Sequence, residues 1–138
     1  TFASDTSGTW VGGSYIYAST GDWARLGELM LNDGAWNSKQ VAPQGWWKFA
    51  GTPSLPTGEG NGYGAQTWIP AQPKNGECAS FPDIPKDTLS MEGHYGQVVA
   101  MVPSKKAVIV RLGWTVEKSE FDSCKLISDV VKNLPDAN

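Results

Sequence analysis

The chain of 138 residues is poor in cysteine and histidine, the side chains that form most zinc sites. It contains one histidine, His94, and two cysteines, Cys78 and Cys124, with no Cys-x-x-Cys or His-x-His pair. Zinc in proteins is held by several Cys and His ligands at short, regular spacings. A glycine-rich phosphate loop followed by Lys and Ser or Thr is also missing. The sequence therefore argues against a zinc site, and we expect no cofactor.

Basic charge and long apolar runs are lacking too. The net charge is −3 and the isoelectric point is near 5.0, whereas a nucleic-acid partner requires a basic surface. No apolar run approaches the roughly 20 residues of a membrane-spanning helix, and no signal peptide opens the chain. We expect no nucleic-acid partner and no membrane span. Because the first residue is Thr1 rather than Met, we expect a piece of a longer protein.

The usual motifs for catalysis by a serine nucleophile are absent as well. The Gly-x-Ser-x-Gly nucleophile elbow fails at "GGSYI", where Ile16 replaces the last glycine. No serine in the chain begins a Ser-x-x-Lys motif. A Ser-His-Asp triad would need His94, and no motif selects a serine or an aspartate to accompany it.

Two features that are present leave alternatives open. Cys78 and Cys124 are either two buried thiols or a disulfide formed in an oxidising compartment. The seven tryptophans are more typical of core packing, although tryptophan also forms sugar-binding platforms. A glycan-binding module predicts several tryptophans exposed in one plane, whereas a hydrolase predicts that most of them are buried.

Periodicity and capping signals predict three helices. The segment "STGDWARLGELMLNDG" is predicted as a helix capped by Ser19 or Thr20, in which Gly27 allows a neighbour to approach closely. A short second helix is predicted to start near Pro43, a residue tolerated in a first helical turn. The segment "SEFDSCKLISDVVKNLP" is predicted as an amphipathic helix that ends at a proline.

The remaining periodic segments predict strands. Residues 97–102 and 107–112 are rich in β-branched residues and are joined by "PSKK", which is typical of a hairpin. The first of them is apolar on both faces, with Val98 and Ala100 on one and Val99 and Met101 on the other. Such strands are normally covered on both sides. Residues 63–69 are also predicted as a strand, and residues 7–20 begin as an extended stretch.

Two blocks, "SGTWVGGSYIYASTGDWARLGELMLNDGAWNSKQVAPQGWW" and "GHYGQVVAMVPSKKAVIVRLG", resemble the C-terminal part of serine hydrolases of the β-lactamase and penicillin-binding-protein superfamily. More narrowly, they are similar to the branch of class C β-lactamase-like esterases and 6-aminohexanoate-dimer hydrolases. The resemblance implies an α+β fold, the C-terminal portion of a β-lactamase/transpeptidase-like α/β sandwich in which helices cover an antiparallel sheet. Residues 1–138 would then form a single partial domain that lacks the nucleophile motif.

Members of this superfamily use Ser-x-x-Lys, Tyr-x-Asn or Tyr-x-Ser, and a third motif, often Lys-Thr-Gly, on an edge strand. The resemblance implies that Met91-Glu92-Gly93 occupies the third motif, so that the backbone N–H of His94 contributes to the oxyanion hole. An alternative register places the motif at Tyr95-Gly96-Gln97, with Gln97 as the donor. Met91 stands where a lysine binds the substrate carboxylate, which favours an ester, amide or peptide-like substrate over a β-lactam.

The same resemblance implies further site residues. Gly93 and Tyr95 flank the implied oxyanion donor, and Ser14 and Tyr15 would line the substrate pocket. Tyr17-Ala18-Ser19 matches Tyr-x-Ser as a string, but it leads directly into the predicted helix, so we interpret it as a helix entry. The nucleophile, its lysine and the catalytic tyrosine are therefore expected outside this chain.

We thus expect part of a serine hydrolase that forms an acyl-enzyme with a small ester, amide or peptide-like substrate, and a fragment that is inactive alone. In the family the last strand pairs with one formed near the N-terminus. Residues 107–112 are therefore expected to form an open edge, which either pairs two copies into a homodimer or binds the missing N-terminal part. The alternatives are a non-catalytic glycan-binding module and a scaffold. A periplasmic or secreted location is preferred to the cytoplasm.

Overall fold

The computed structural model of the chain describes residues 1–11, 14–54, 62–71, 76–117 and 120–137. Its elements in chain order are α1 (Thr20–Leu31), β1 (Ala35–Trp36), β2 (Lys39–Gln40), α2 (Trp46–Ala50), β3 (Leu89–Gly93), β4 (Gln97–Val102), β5 (Ala107–Arg111) and α3 (Ser123–Val131). Strands β1 and β2 form a small antiparallel pair, and β3, β4 and β5 form an antiparallel sheet in that order. The expected α+β class, with helices covering an antiparallel sheet, is confirmed.

Strand β4 lies at the centre of the sheet and is apolar on both faces, as the sequence predicts. Val98, Ala100 and Val102 belong to one buried cluster, whereas Val99 and Met101 belong to another. All five side chains are at most 5% exposed. The sheet therefore separates two hydrophobic cores, each of which needs its own cover.

The first core lies between the sheet and α3. Cys124 and Ile127 of α3 pack on the sheet face that carries Val98, together with Ile84 from the loop before β3. Cys78 and Cys124 form a disulfide with their Cα atoms 5.3 Å apart. The bond closes a loop with a sequence separation of 46 residues, which contributes about 4 kcal/mol in the chain-entropy treatment.

The second core lies between the sheet and α1. The Ser19 side chain accepts from the N–H of Asp22, and the Asp22 carboxylate accepts from the Ser19 backbone, so that α1 begins with a capping box. Gly27 is buried against β5, and a Cβ atom added there would lie 2.5 Å from Cγ1 of Val108. The predicted close approach at Gly27 is therefore present, and Val108 is the residue that approaches.

Helix α2 begins at Trp46, so the prediction of a start near Pro43 is wrong by three residues. The helix has Gly45 at its N-cap, which offers no side-chain oxygen. The carboxylate of Asp33 takes that role and accepts from the N–H groups of Gly45 and Trp47 at 2.7 and 3.0 Å. These two hydrogen bonds hold the pKa of Asp33 below its ordinary value.

The prediction of a strand over residues 63–69 is also wrong. These residues make only isolated bridges, Tyr63 with Trp68 and Trp68 with Ser90, and Gln66 has a φ of 63°. A positive φ turns the chain back on itself, so the segment forms a tight turn rather than a ladder. Within the described part of residues 7–20, the extended stretch likewise makes only isolated bridges, such as that between Ser4 and Trp10.

Gly27→Ala tests the contact between α1 and β5. Alanine favours helix over glycine by about 1 kcal/mol, but the added methyl collides with Val108, and overpacking of this kind costs about 1–3 kcal/mol. We expect a net loss of stability in urea denaturation and recovery when Val108→Ala is added. Gly21→Ala in the same helix is the control, because its Cβ would meet nothing closer than 3.8 Å. Equal effects at both glycines would contradict the packing argument.

Candidate functional site

The outer edge of β3, the edge that faces away from β4, is where the implied third motif lies. Ser90 exchanges two hydrogen bonds with Trp68, at 2.7 and 3.0 Å, so its main-chain groups face this outer edge. Successive residues of a strand direct their main-chain groups to alternate sides. The main-chain groups of Glu92 therefore also face the outer edge. Those of Met91 and Gly93 point to β4, where these residues pair with Val99 and Gln97.

His94 follows β3 directly and continues this alternation. Gly93 pairs with Gln97, so the Gly93 carbonyl points toward β4. The peptide bond between Gly93 and His94 is trans, because the structure has no cis peptide among its described residues. The N–H of a trans peptide points opposite to its C=O, which directs the His94 N–H to the outer edge of β3.

Gln97, the donor of the alternative register, has a different position. Its main chain pairs with Gly93 inside the sheet, and its side-chain amide donates to the His94 carbonyl at 3.0 Å. Among the described residues, nothing pairs with the outer edge at His94, whereas the main chain of Gln97 lies inside the sheet. The imidazole of His94 is exposed at the surface.

The turn between β3 and β4 carries an aromatic stack. The His94 and Tyr95 ring centroids lie 3.9 Å apart, and those of Tyr95 and Trp114 lie 4.3 Å apart. Tyr95 has a φ of 61°, which costs a non-glycine residue roughly 1 kcal/mol or more. The Thr115 N–H holds the turn by donating to the Tyr95 carbonyl at 3.0 Å.

Arg111 fastens the same turn to the end of β5. Its guanidinium donates to the Gly96 carbonyl and, at 2.6 Å, to the Thr115 hydroxyl. It also lies 3.8 Å above the Phe121 ring, an arrangement that attracts a cation to the π face. Gly96 has a φ of 75°, and a Cβ there would lie 2.8 Å from the Phe121 ring. This position therefore requires glycine.

The carboxyl group of Glu92 is half-buried on one face of β3. Burial raises its pKa above the ordinary value, the nearby charge of Glu77 adds to the rise, and the Ser90 hydroxyl opposes it. The Ser90 hydroxyl donates to this carboxylate at 3.2 Å. In the sequence, only the register implied by the resemblance draws attention to Glu92. Nothing in the sequence indicates its coupling to Glu77.

Ser14 and Tyr15 lie apart from this edge in the hydrogen-bond network. They belong to a hairpin-like segment in which the Ala3 N–H donates to the Tyr15 carbonyl and Ser14 bonds to Val11. The side chain of Tyr15 is 59% exposed, and its φ is 62°. Every hydrogen bond recorded for the described residues of this segment, up to residue 17, stays inside it. The paired glycines at 12 and 13 are outside the described residues.

The tryptophans divide into two groups. Trp10 and Trp114 are 69% and 77% exposed and stack on Phe2 and Tyr95 respectively, in separate parts of the chain. The other five are half-buried. Neither the mostly buried set nor a planar exposed set is therefore present. Sequence reasoning did not single out Trp114, because an isolated aromatic after a strand carries no pattern.

Neither a metal-binding cluster nor a membrane-spanning helix is present in the part of the chain that the structure describes. No group of three or more His, Cys, Asp or Glu side chains converges there. No helix in the same residues has the length and apolarity to cross a bilayer.

Comparison with known proteins connects the chain to one kind of fold. No family model and no curated protein matches it. Among solved structures, a chain described as "Putative 6-aminohexanoate-dimer hydrolase from Bacillus anthracis" superposes with a TM-score of 0.68 and 23% identity. The match covers 97% of this chain and 34% of that one, so this chain spans about a third of that protein's length. At this identity the similarity shows the fold, part of a β-lactamase-like fold.

Glu92→Gln tests the electrostatics of the edge. Because the pKa of Glu92 is raised in the folded state, the folded chain binds its proton more tightly than the unfolded chain does. Stability is then lost as pH rises from the ordinary carboxyl range through the raised pKa, and Glu92→Gln removes that loss. We expect the variant to melt higher than the parent at pH 7 and to match it well below pH 4, in thermal denaturation across pH.

Glu77→Gln is the companion variant. It should lower the pKa of Glu92 without returning it to the ordinary range, because burial is the larger cause. Carboxyl-carbon NMR titration measures this directly. If the melting temperatures of Glu92→Gln and the parent differed by the same amount at every pH, the raised pKa of Glu92 would be contradicted.

Proposed function

We propose that this chain is part of a serine hydrolase of the β-lactamase superfamily that acts through an acyl-enzyme on a small ester, amide or peptide-like substrate. The observation that carries the proposal is the direction of the His94 N–H. It faces the outer edge of β3, next to the Met91-Glu92-Gly93 segment, and it has no partner among the described residues. The resemblance in sequence puts an oxyanion-hole donor at the same residue. The nucleophilic serine, its Ser-x-x-Lys lysine and the catalytic tyrosine would lie in sequence outside this chain.

In this mechanism the substrate carbonyl lies along the outer edge of β3. The serine oxygen attacks the carbonyl carbon, and the C=O electron pair moves onto the oxygen. The His94 N–H donates to this oxyanion together with a second donor, expected to be the N–H of the serine itself. The Ser-x-x-Lys lysine and the catalytic tyrosine would take the serine proton and deliver it to the alcohol or amine as the bond from that group to the carbonyl carbon breaks. Water then hydrolyses the acyl-serine to the acid and frees the serine. A preorganised donor is effective because it needs no reorientation during the reaction.

The side chains at this edge support an uncharged or cationic substrate rather than an anionic one. Met91 supplies no ammonium group where the family has a lysine. Glu92, in the next position, adds a carboxyl group on the opposite face of the same strand. A substrate carboxylate would therefore find no cationic partner among these residues and would be repelled by ionised Glu92.

His94→Pro and His94→Ala separate the backbone of this residue from its ring. In the longer polypeptide that carries a Ser-x-x-Lys motif, His94→Pro deletes the N–H and should lower kcat for a p-nitrophenyl ester by about 100- to 1,000-fold. His94→Ala keeps the N–H and should change kcat by a few-fold only. A bulky residue in place of Gly93 should cost more than His94→Ala, since it obstructs the edge.

The opposite result would support chemistry by the imidazole. If this chain alone turned over the ester, and if His94→Ala removed that activity, the serine mechanism would be wrong. A longer polypeptide without Ser-x-x-Lys would also contradict it.

We further propose that the outer edge of β5 pairs with the remaining part of the protein and, in its absence, with a second copy. The main-chain groups of Ser90 bond to Trp68, away from β4. Those of Ala100, its partner on β4, therefore point to β5, where Ala100 pairs with Ile109. The main-chain groups of Val108 and Val110 therefore point away from the sheet, and no described strand pairs with them. Open edges of this kind associate readily.

Val110→Pro tests this edge, because proline removes an outward N–H and leaves the β4–β5 ladder intact. We expect the chain to sediment as a dimer and the variant to sediment as a monomer. A parent chain that is monomeric at high concentration and melts in one cooperative transition would contradict the pairing.

A further inference from the structure

A cavity of about 220 Å³ lies beside the outer edge of β3, on the face opposite to Glu92. Met91 of β3 lines the cavity. Its side chain and that of Glu92 lie on opposite faces of the strand. The other lining residues come from α1, α2, the segment between them and the turn before Trp68, and include Met30, Trp46, Ala65, Gln66 and Thr67. Three separate stretches of the described chain therefore line this cavity.

The wall formed by residues 64–67 is fixed in place. The Gly64 N–H donates to the Thr67 carbonyl at 2.8 Å. The Ala65 N–H and the Thr67 hydroxyl both donate to the Ala50 carbonyl at the end of α2, at 3.1 and 2.7 Å. The turn is thus bonded to α2, and the cavity between them is part of the folded state.

The described residues that line the cavity are uncharged. They include no Asp, Glu, Lys, Arg or His side chain. The Thr67 hydroxyl already donates to Ala50, and Gln66 is exposed at the rim. A volume of about 220 Å³ is below the roughly 300–1,000 Å³ of sites for drug-sized ligands. These properties suit a short apolar chain and exclude a charged group.

The cavity lies within reach of the proposed reaction edge. Met91 precedes His94 by three residues, which is roughly 10 Å along a strand. An extended chain advances roughly 3.6 Å for every three bonds, so about eight bonds connect the two positions. A chain bound to a carbonyl at His94 could place its far end against Met91.

We propose that this cavity binds the unbranched, methyl-ended aliphatic chain of the acyl group, so that the substrate is a medium-chain acyl ester or amide. That the chain belongs to an acyl group rests on the proposed function, whereas binding of the aliphatic chain in the cavity does not. Met91 is then the residue that selects the chain, since its thioether adapts to a flexible apolar partner. A chain that ends in an ammonium group would have to bury its charge among apolar side chains.

Methionine methyl NMR on the chain itself tests this proposal, because the sequence has three methionines. Met30 and Met91 line the cavity, and Met101 is fully buried in the core and is absent from its lining. Titration with octanamide should shift the methyl signals of Met30 and Met91 and leave that of Met101 in place. Affinity should rise about three- to fourfold for each methylene from butanamide to octanamide. Octanamide should also bind at least tenfold more tightly than 8-aminooctanamide.

Two variants block the cavity in different ways. Met91→Lys introduces a charge, and Ala65→Leu fills the space without one; each should weaken octanamide binding at least tenfold. Leu112→Lys is the control, because it adds the same charge at an exposed site outside the cavity. If Met91→Lys does not fold, Ala65→Leu decides the question.

Affinity that is independent of chain length, or unaffected by Ala65→Leu, would overturn the proposal. Equal shifts at all three methionines would overturn it as well. Octanamide binding in the cavity without any ester turnover by the longer polypeptide would refute the hydrolase and leave the cavity site standing. Turnover of short acyl esters without octanamide binding would refute the cavity site and leave the hydrolase standing.

Discussion

The rest of the structure depends on one constraint, which is that β4 is apolar on both faces. A strand of this kind cannot leave either face in water, so two layers of helix must form from a short chain. The α3 layer is held by the disulfide, and the α1 layer is fitted to β5 through Gly27 and Val108. With both faces occupied, only the edges of the sheet remain available. The proposed chemistry and the proposed pairing both use edges.

The parts of the fold that sequence alone predicts are those decided by neighbouring residues. The β4–β5 hairpin, the capping of α1 by Ser19 and the apolar face of α3 follow from alternation, caps and helical spacing. The two errors arise where a distant group decides. Helix α2 starts at Trp46 because the Asp33 carboxylate supplies its cap from another segment. Residues 63–69 form a turn because Trp68 pairs with Ser90 and Gln66 takes a positive φ.

The candidate site divides in the same way. A resemblance in sequence implied that Met91, Glu92, Gly93 and His94 belong to a motif, and strand alternation in the structure gives each of them a direction. That direction depends on the bridge from Trp68, which sequence could not supply. The raised pKa of Glu92 comes mainly from burial in the folded chain, and the charge of Glu77 adds to it. The cavity beside Met91 is lined by three described segments that are far apart in the chain. The implied grouping of Ser14 and Tyr15 with this edge remains a prediction.

The disulfide has a mechanical consequence. Residues 78 and 124 enclose β3, β4, β5 and both of their connections in a covalently closed ring. A force applied along the backbone passes through the sulfur bridge instead of through the residues between the two cysteines. Stretching would extend the α1 and α2 region and unravel α3, whereas the enclosed strands could not be drawn out. The segment that carries His94 thus belongs to the part of the chain that lengthens under force only after the bridge is reduced.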